Sequence, residues 1–298
     1  MIEFIDKQRT QHGVEPICQQ LPIAPSTYYQ HKRYQHDPEL RSERYKHDKW
    51  LEMEITRVYE DNMQVYGARK VWRQLHRENI PVARCTVERL MNRLALQGAV
   101  RGKHCKTTVS EAELFKPEDK VNRQFVADRP NQLWVADITY VSTWRGFVYV
   151  AFIIDVFARC IVGWRVSKTL HTELVLDALE QALWARKPEK GLIHHSDHGS
   201  QYLSIKYTER LTEAGIDASV GSVGDSYDNA LAETINGLYK TEVIYRTTWK
   251  TIESVEYATL TWVDWFNHRR LLEPIGNIPP AEFEKLYYDN QEESVKVA

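Results

Sequence analysis

The chain has 298 residues, 43% of them hydrophobic and 27% charged, which suits a globular protein and excludes a disordered or fibrous one. Its longest apolar run, Phe147 to Ile154, ends at Asp155, far short of the roughly 20 residues that cross a bilayer, and the polar opening MIEFIDKQRTQHG lacks the apolar stretch of a signal peptide, so the expected location is the cytoplasm. The net charge of −2 averages two unlike parts: residues 64 to 107 hold ten Lys and Arg against two Glu, whereas residues 126 to 287 hold 16 Lys and Arg against 21 Asp and Glu.

Residues 1–40 read as an N-terminal helical segment, with Ile17 to Tyr29 resembling the remnant of a helix-turn-helix. Residues 41–105 carry a fuller one. Apolar positions recur at helical spacing from Trp50 to about Asn62 (Leu51, Ile55, Val58) and from Tyr66 to about Asn79 (Val71, Leu75). After Ile80-Pro81, where proline blocks the helix, Val87, Leu90, Met91 and Leu94 mark a third helix expected to end near Gly98. On its other face stand Arg84, Thr86, Arg89, Asn92 and Arg93, the kind of surface that enters a major groove. Ala83 occupies the position where Ser or Asp would cap that helix. A plain helical bundle with a charged exterior is the rival reading.

Residues 106–125 mix polar residues with Pro117 and read as a linker, and residues 288–298 as a tail. Between them, residues 126–287 form the larger domain. Gln132 to Ser142, Phe147 to Val156 and Cys160 to Val166 predict an antiparallel three-strand meander. A helix (172–186), a strand (191–195), a helix (205–214), a strand (217–220) and a helix (229–243) follow, which makes an α/β domain on one mixed sheet. Cys18, Cys85, Cys105 and Cys160 form no CxxC pair and are expected to be reduced and structural.

Acids stand in three unusual settings: QLWVADITYV, LIHHSDHGSQY and GDSYDNALAETINGLYKTE. Asp197 and Glu233 have 35 residues between them, and Lys240 lies seven beyond Glu233. With these motifs the chain resembles the downstream-frame transposases of the IS-three family of bacterial insertion sequences, within the retroviral-integrase superfamily. The resemblance runs from Tyr66 to Phe283. It implies an RNase H-like mixed five-stranded sheet with flanking helices, preceded by the all-α helix-turn-helix domain. Ala136, where the family usually has a polar residue, and Leu271-Leu272, where a His is common, depart from the pattern without touching the acids.

The resemblance implies that Asp137, Asp197 and Glu233 are the catalytic, metal-binding carboxylates of an enzyme that cuts and joins DNA strands. Two hard cations clamping the attacking and leaving oxygens suit such chemistry, so two Mg²⁺ ions are expected, with Mn²⁺ as a substitute. Lys240 is expected to meet a DNA phosphate, and Arg84, Arg89, Arg93, Arg269 and Arg270 to contact DNA. The implied partners are double-stranded DNA at the element ends and target, further copies of the chain in a synaptic complex, and an upstream-frame DNA-binding protein, fused or bound. A non-catalytic helix-turn-helix repressor and an RNase H-like nuclease are the competing functions.

Nearby residues have blander expected roles. Asp155 reads as a structural strand-end acid, Asp228 as a helix cap, and His194, His195 and His198 as hydrogen-bonding or packing residues. Trp134 reads as core.

Overall fold

The computed structural model describes residues 1–100, 102, 126–197, 199–220 and 229–297. The linker read at 106–125, Cys105, His198 and Asp228 lie outside them.

Three short helices open the chain: α1 (Ile2–His12), α2 (Val14–Gln20) and α3 (Pro25–His36). They close on their own small cluster of Ile5, Ile17, Cys18 and Tyr28. The stretch expected to form a second helix-turn-helix supplies the end of α2 and the beginning of α3. Gly13, at φ 77°, makes the sharp corner between α1 and α2 that an L side chain resists.

The next three helices are α4 (Glu43–Asp61), α5 (Ala68–Arg77) and α6 (Arg84–Arg93). Every apolar position read from their spacing between Leu51 and Met91 is buried. α4 begins well before Trp50 because Ser42 caps it, its hydroxyl accepting from the Tyr45 N–H. α6 stops at Arg93, short of the expected Gly98, since the chain turns left-handed at Ala95 (φ 54°). Gly98 serves a close approach instead. A Cβ there would lie 2.5 Å from the Gly67 nitrogen, so glycine lets the chain pass back over the start of α5. Ala83 gives α6 no side-chain cap, but the turn before it is held where the Trp72 indole donates to the Val82 carbonyl at 2.8 Å.

The larger domain has the predicted meander, β1 (Leu133–Thr143), β2 (Gly146–Asp155) and β3 (Cys160–Ser167), then α7 (Thr172–Arg186), β4 (Ile193–Ser196), α8 (Ile205–Glu213), β5 (Asp217–Val220), α9 (Ala230–Glu242), α10 (Ile252–His268) and α11 (Pro280–Val297). The sheet order is β3-β2-β1-β4-β5. β1, β2 and β3 run antiparallel, whereas β4 and β5 run parallel to β1. Alternation along the strands serves two cores. Trp134, Ala136, Ala151 and Ile153 pack with α7; Val135, Val150, Phe152 and Ile154 pack with α9 and α10. Trp134 is thus a core residue. α7 lies so close to β3 that a Cβ on Gly163 would come within 2.2 Å of the Ala178 carbonyl oxygen.

The helix-turn-helix and the sheet domain share an apolar cluster that runs from Leu51 and Val71 to Trp262 and Phe266. In this seam the buried Tyr66 hydroxyl donates to the Arg269 carbonyl at 3.2 Å and accepts from the Leu271 N–H at 2.8 Å. Arg270 is buried beside it, and its Nε donates to both carboxylate oxygens of Glu242 on α9, at 3.1 and 3.0 Å. The Trp262 indole donates to the same carboxylate at 3.1 Å. This corrects the expectation for Arg270: its guanidinium is held inside the protein by Glu242 and is closed to DNA. Arg269 is exposed. Among the described residues, no helix is long and apolar enough to cross a membrane.

Arg270→Ala is expected to lower the unfolding free energy by about 3–5 kcal/mol, because it strands a buried carboxylate. The double variant Arg270→Met, Glu242→Gln removes both charges and is expected to lose much less; denaturant titration of the two proteins checks this.

Candidate active site

The pairing of β1 with β4 sets the first two acids. The last paired residues are Ala136 and Ser196, so Asp137 and Asp197 follow side by side where β4 ends. Asp137 stays in β1, half-buried, whereas Asp197 is exposed in the turn beyond β4. Gly199 N–H donates to Asp197 Oδ1 at 3.2 Å, and a Cβ at Gly199 would crowd that oxygen at 3.1 Å. The β4 histidines face inwards as structural groups. His195 Nδ1 lies 2.9 Å from Ser219 Oγ and His194 Nε2 lies 3.0 Å from the Tyr207 hydroxyl. Burial pushes His194 down to about 4, so it is neutral.

α9 brings the third acid. Its apolar stripe, Leu231, Ala232, Ile235 and Tyr239, packs on the sheet, and two asparagines bolt it to β1. Asn229 Nδ2 donates to the Ala136 carbonyl and Asn236 Nδ2 to Asp137 Oδ2, both at 2.8 Å. Glu233, exposed, lies on α9 between these two anchors. Side chains three apart on a helix have Cβ atoms roughly 5–6 Å from each other, so Glu233 starts about that far from the asparagine that touches Asp137. Farther along, the Lys240 ammonium sits 4.7 Å from the Tyr140 ring centre.

The electrostatics follow from this arrangement. Burial pushes the Asp137 carboxyl up to about 7; the negative charge of Asp197 adds to the rise and that of Glu233 adds less, while hydrogen bonds from Asn236 and the Ile138 N–H oppose it. Lys240 is lowered by burial, against the pull of Asp137. Among the described residues, no three Asp, Glu, His or Cys side chains lie close enough to grip one ion as they stand. The donors nevertheless fit a hard cation in kind: all are carboxylate oxygens, and two stand on neighbouring strands, Asp137 within β1 and Asp197 just past β4, where a positive charge relieves their repulsion.

The arginines of α6 are less open than the sequence suggests. Arg84 pairs with Glu88 at 3.1 Å, Arg89 with Asp48 at 2.9 Å, and Arg93 with Glu52. Arg69 and Arg77 reach Glu273 and Glu282 of the C-terminal part at 2.8 and 2.5 Å. Much of the positive charge counted in this region therefore meets carboxylates inside the chain.

Asp155 is structural: fully buried, it accepts from the Asn131 N–H at 2.7 Å, the Phe157 N–H at 3.0 Å and Arg186 at 3.3 Å. Cys18 and Cys160 are buried free thiols, but Cys85 is exposed on α6, contrary to its expected structural role. Sequence reasoning missed Asn229 and Tyr202. Asn229 was hidden because its partner, the Ala136 carbonyl, is far away in the chain and no local pattern records it. Tyr202 is buried beside Asp197, which with Asp137 helps to raise its hydroxyl well above the ordinary tyrosine range, after burial itself. Its place in the SDHGSQY motif was the available signal.

Because folding raises Asp137, the folded metal-free chain keeps a proton that the unfolded chain releases near pH 4. The stabilisation is fully present below about pH 4 and is lost as pH rises through about 7. Thermal unfolding in a chelator is expected to show this fall, and Asp137→Asn, which carries no such proton, is expected to flatten it.

Comparison with known proteins agrees with this architecture. An HTH-like domain family matches residues 46–104, and two integrase core domain families match residues 127–226 and 214–280. The transposase for insertion sequence element IS629 of Shigella sonnei is 64% identical, over 97% of this chain and 97% of its own. Transposase InsF for insertion sequence IS3A of Escherichia coli strain K12 is 28% identical, over 94% and 97%. A more distant likeness, 17% identical with a TM-score of 0.41, joins 53% of this chain to 98% of the HTLV-2 integrase catalytic core domain in its trimeric complex with magnesium. On the nearly full-length identity with the IS629 protein, and with its helix-turn-helix-like and integrase core parts, the chain belongs to the IS-three family of insertion-sequence transposases.

Proposed function

We propose that this transposase is of the three-carboxylate type: a polynucleotidyl transferase that cuts DNA at the element ends and joins the freed strand to a target, using Asp137, Asp197 and Glu233. The observation that carries the reading is the side-by-side position of Asp137 and Asp197 at the end of β4, with the Glu233 helix hydrogen-bonded to β1 on either side of that glutamate. The domain limits proposed from the sequence, 41–105 for the DNA-binding unit and 126–287 for the core, fit this division of labour.

The three carboxylates would hold divalent metal, two Mg²⁺ or Mn²⁺ ions, which when bound supply Lewis-acid stabilisation of the attacking and leaving oxygens and offset the acidic core. Glu233, solvent-exposed as it stands, would have to turn its side chain towards Asp137 and Asp197 to share an ion with them. Asn236 keeps Asp137 Oδ2 in a constant direction. Lys240 turns its ammonium from Tyr140 to a phosphate of the bound strand. On the helix-turn-helix, Arg84 exchanges its exposed pair with Glu88 for a phosphate at little cost, since such surface pairs contribute about 0–1 kcal/mol. Arg89 and Arg93 give up their carboxylates less readily, because Asp48 and Glu52 are mostly buried. Arg269 adds an exposed charge from the core side.

This limited set of open arginines favours help in recognising the element ends, from an upstream-frame DNA-binding protein fused or bound to the chain. Two ends must be held together, which assigns the work to a homo-oligomer on double-stranded DNA in the bacterial cytoplasm.

With labelled element-end DNA and Mg²⁺, strand transfer is expected from the wild type. Asp137→Asn, Asp197→Asn and Glu233→Gln are each expected to abolish it while retaining DNA binding. Cleavage without joining would make the chain a nuclease, and binding without chemistry a repressor. Lys240→Ala is expected to weaken binding and to lower the slope of log affinity against log salt by about one.

A further inference from the structure

Beyond its pairing with β4, where an isolated bridge from Thr143 to Trp249 is the ladder contact on that side, β1 and the turn after it carry side chains that neither the fold nor the three carboxylates account for. β4 accompanies β1 only to Ala136, so beyond that point β1 has no β4 neighbour on this side. Solvent-facing strand positions ordinarily hold polar residues. Here Tyr140 is 47% exposed, Trp144 71% and Phe147 57%, and none of the three belongs to a core cluster. Tyr140 and Phe147 meet edge to face at 5.6 Å.

Lysines attend the rings. Lys240 lies 4.7 Å from the centre of the Tyr140 ring and Lys250 lies 5.2 Å from that of Trp144. The second pair is pinned in place by the backbone, since the Trp144 N–H donates to the Trp249 carbonyl at 3.0 Å. At about 3.3 Å per strand residue, Tyr140 lies roughly 10 Å from Asp137 and Trp144 roughly 13 Å farther on. The rings are therefore too far apart to serve one base; Tyr140 stands on the opposite face of β1 from Asp137, and Lys240, against the Tyr140 ring and within the field of Asp137, connects the two around the strand.

Alternating rings and ammonium groups suit an unpaired nucleic-acid strand, whose bases stack on aromatic faces while its phosphates take the cations. A paired duplex does not offer its base faces in this way. We propose that the β1–β2 hairpin is a stacking platform for the unpaired DNA strand adjoining the scissile phosphate. Tyr140 with Lys240 takes a base near the cut, and Trp144 with Lys250 takes one farther along. The placement of the scissile phosphate rests on the three-carboxylate reading; the affinity for unpaired DNA does not. The platform makes fraying of the element end a favourable step, because stacking on the rings offsets the loss of base pairing.

The test uses the full-length chain in a chelator, so that no strand is cut, and compares a duplex with a splayed single-stranded end against the same duplex fully paired. Tyr140→Ala and Trp144→Ala are each expected to weaken binding of the splayed DNA on the order of tenfold and to leave binding of the paired duplex unchanged. Trp144→Phe is expected to retain most of the affinity. A 5-bromouracil in the splayed arm is expected to photocrosslink to Tyr140 or Trp144. Undiminished binding of splayed DNA by both alanine variants with native melting curves, or crosslinks confined to other residues, would overturn the proposal. So would a change in oligomer size in these variants with unchanged DNA affinity, which assigns the rings to a second copy of the chain. Strand transfer by the wild type, with the platform variants binding normally, refutes the platform and leaves the enzyme reading intact. Ring-dependent binding without strand transfer supports the platform and removes the enzyme reading.

Discussion

Two carboxylates side by side, one within β1 and one just past the end of β4, repel each other, and the arrangement around Asp137 answers that repulsion. The β1–β4 register sets Asp137 beside Asp197, and burial adds to the cost of charging it. Asn236 and the Ile138 N–H hold its two oxygens. α9 can supply Asn236 only because its apolar stripe seats it on the sheet and Asn229 ties its first turn to β1. The same helix then delivers Glu233 and Lys240. The site thus depends on the β1–β4 register for its first two acids and on one helix-to-strand docking for the rest.

That docking extends beyond the core. Glu242, near the end of α9, takes the Arg270 guanidinium and the Trp262 indole inside the protein. Next to Arg270 in sequence, Arg269 and Leu271 offer their backbone to Tyr66, which lies just before α5. The helix that carries Glu233 and the helix-turn-helix are therefore joined through a buried charge pair and one tyrosine hydroxyl. Buried groups of this kind tolerate few geometries, because a displaced partner leaves a polar atom without its bond. The connection passes through packed residues as well as through the chain.

The charge distribution has a related logic. The basic segment places Arg69, Arg77, Arg89 and Arg93 against carboxylates of α4 or of the C-terminal part. Those pairs fasten the helix-turn-helix internally and to the core, and they leave a smaller positive surface than the count of residues implies. The acidic sheet domain sets the half-buried Lys240 and the exposed Lys250 against the rings of Tyr140 and Trp144.

The order and extent of the core elements from β1 to α9 were legible from residue pattern, since apolar alternation and helical spacing are local properties that survive into the fold, whereas α10 and α11 were not, and most of the stretch expected to be a tail, 288–298, lies in α11. Helix ends were less legible: α4 begins early at the Ser42 cap and α6 ends early at a left-handed Ala95, features that depend on single backbone conformations. The motif spacing of Asp197, Glu233 and Lys240 likewise announced the candidate acids. The sequence by itself determined which residue types could do the chemistry and which elements carry them. Only the tertiary structure decided what each charge faces. It turned Arg270 inwards to Glu242, occupied Arg89 and Arg93 with α4, gave Asn229 to β1, and left the Tyr140 and Trp144 rings exposed. Partners far apart in the chain set those outcomes, and no local pattern of residues records a contact that forms only when the elements pack.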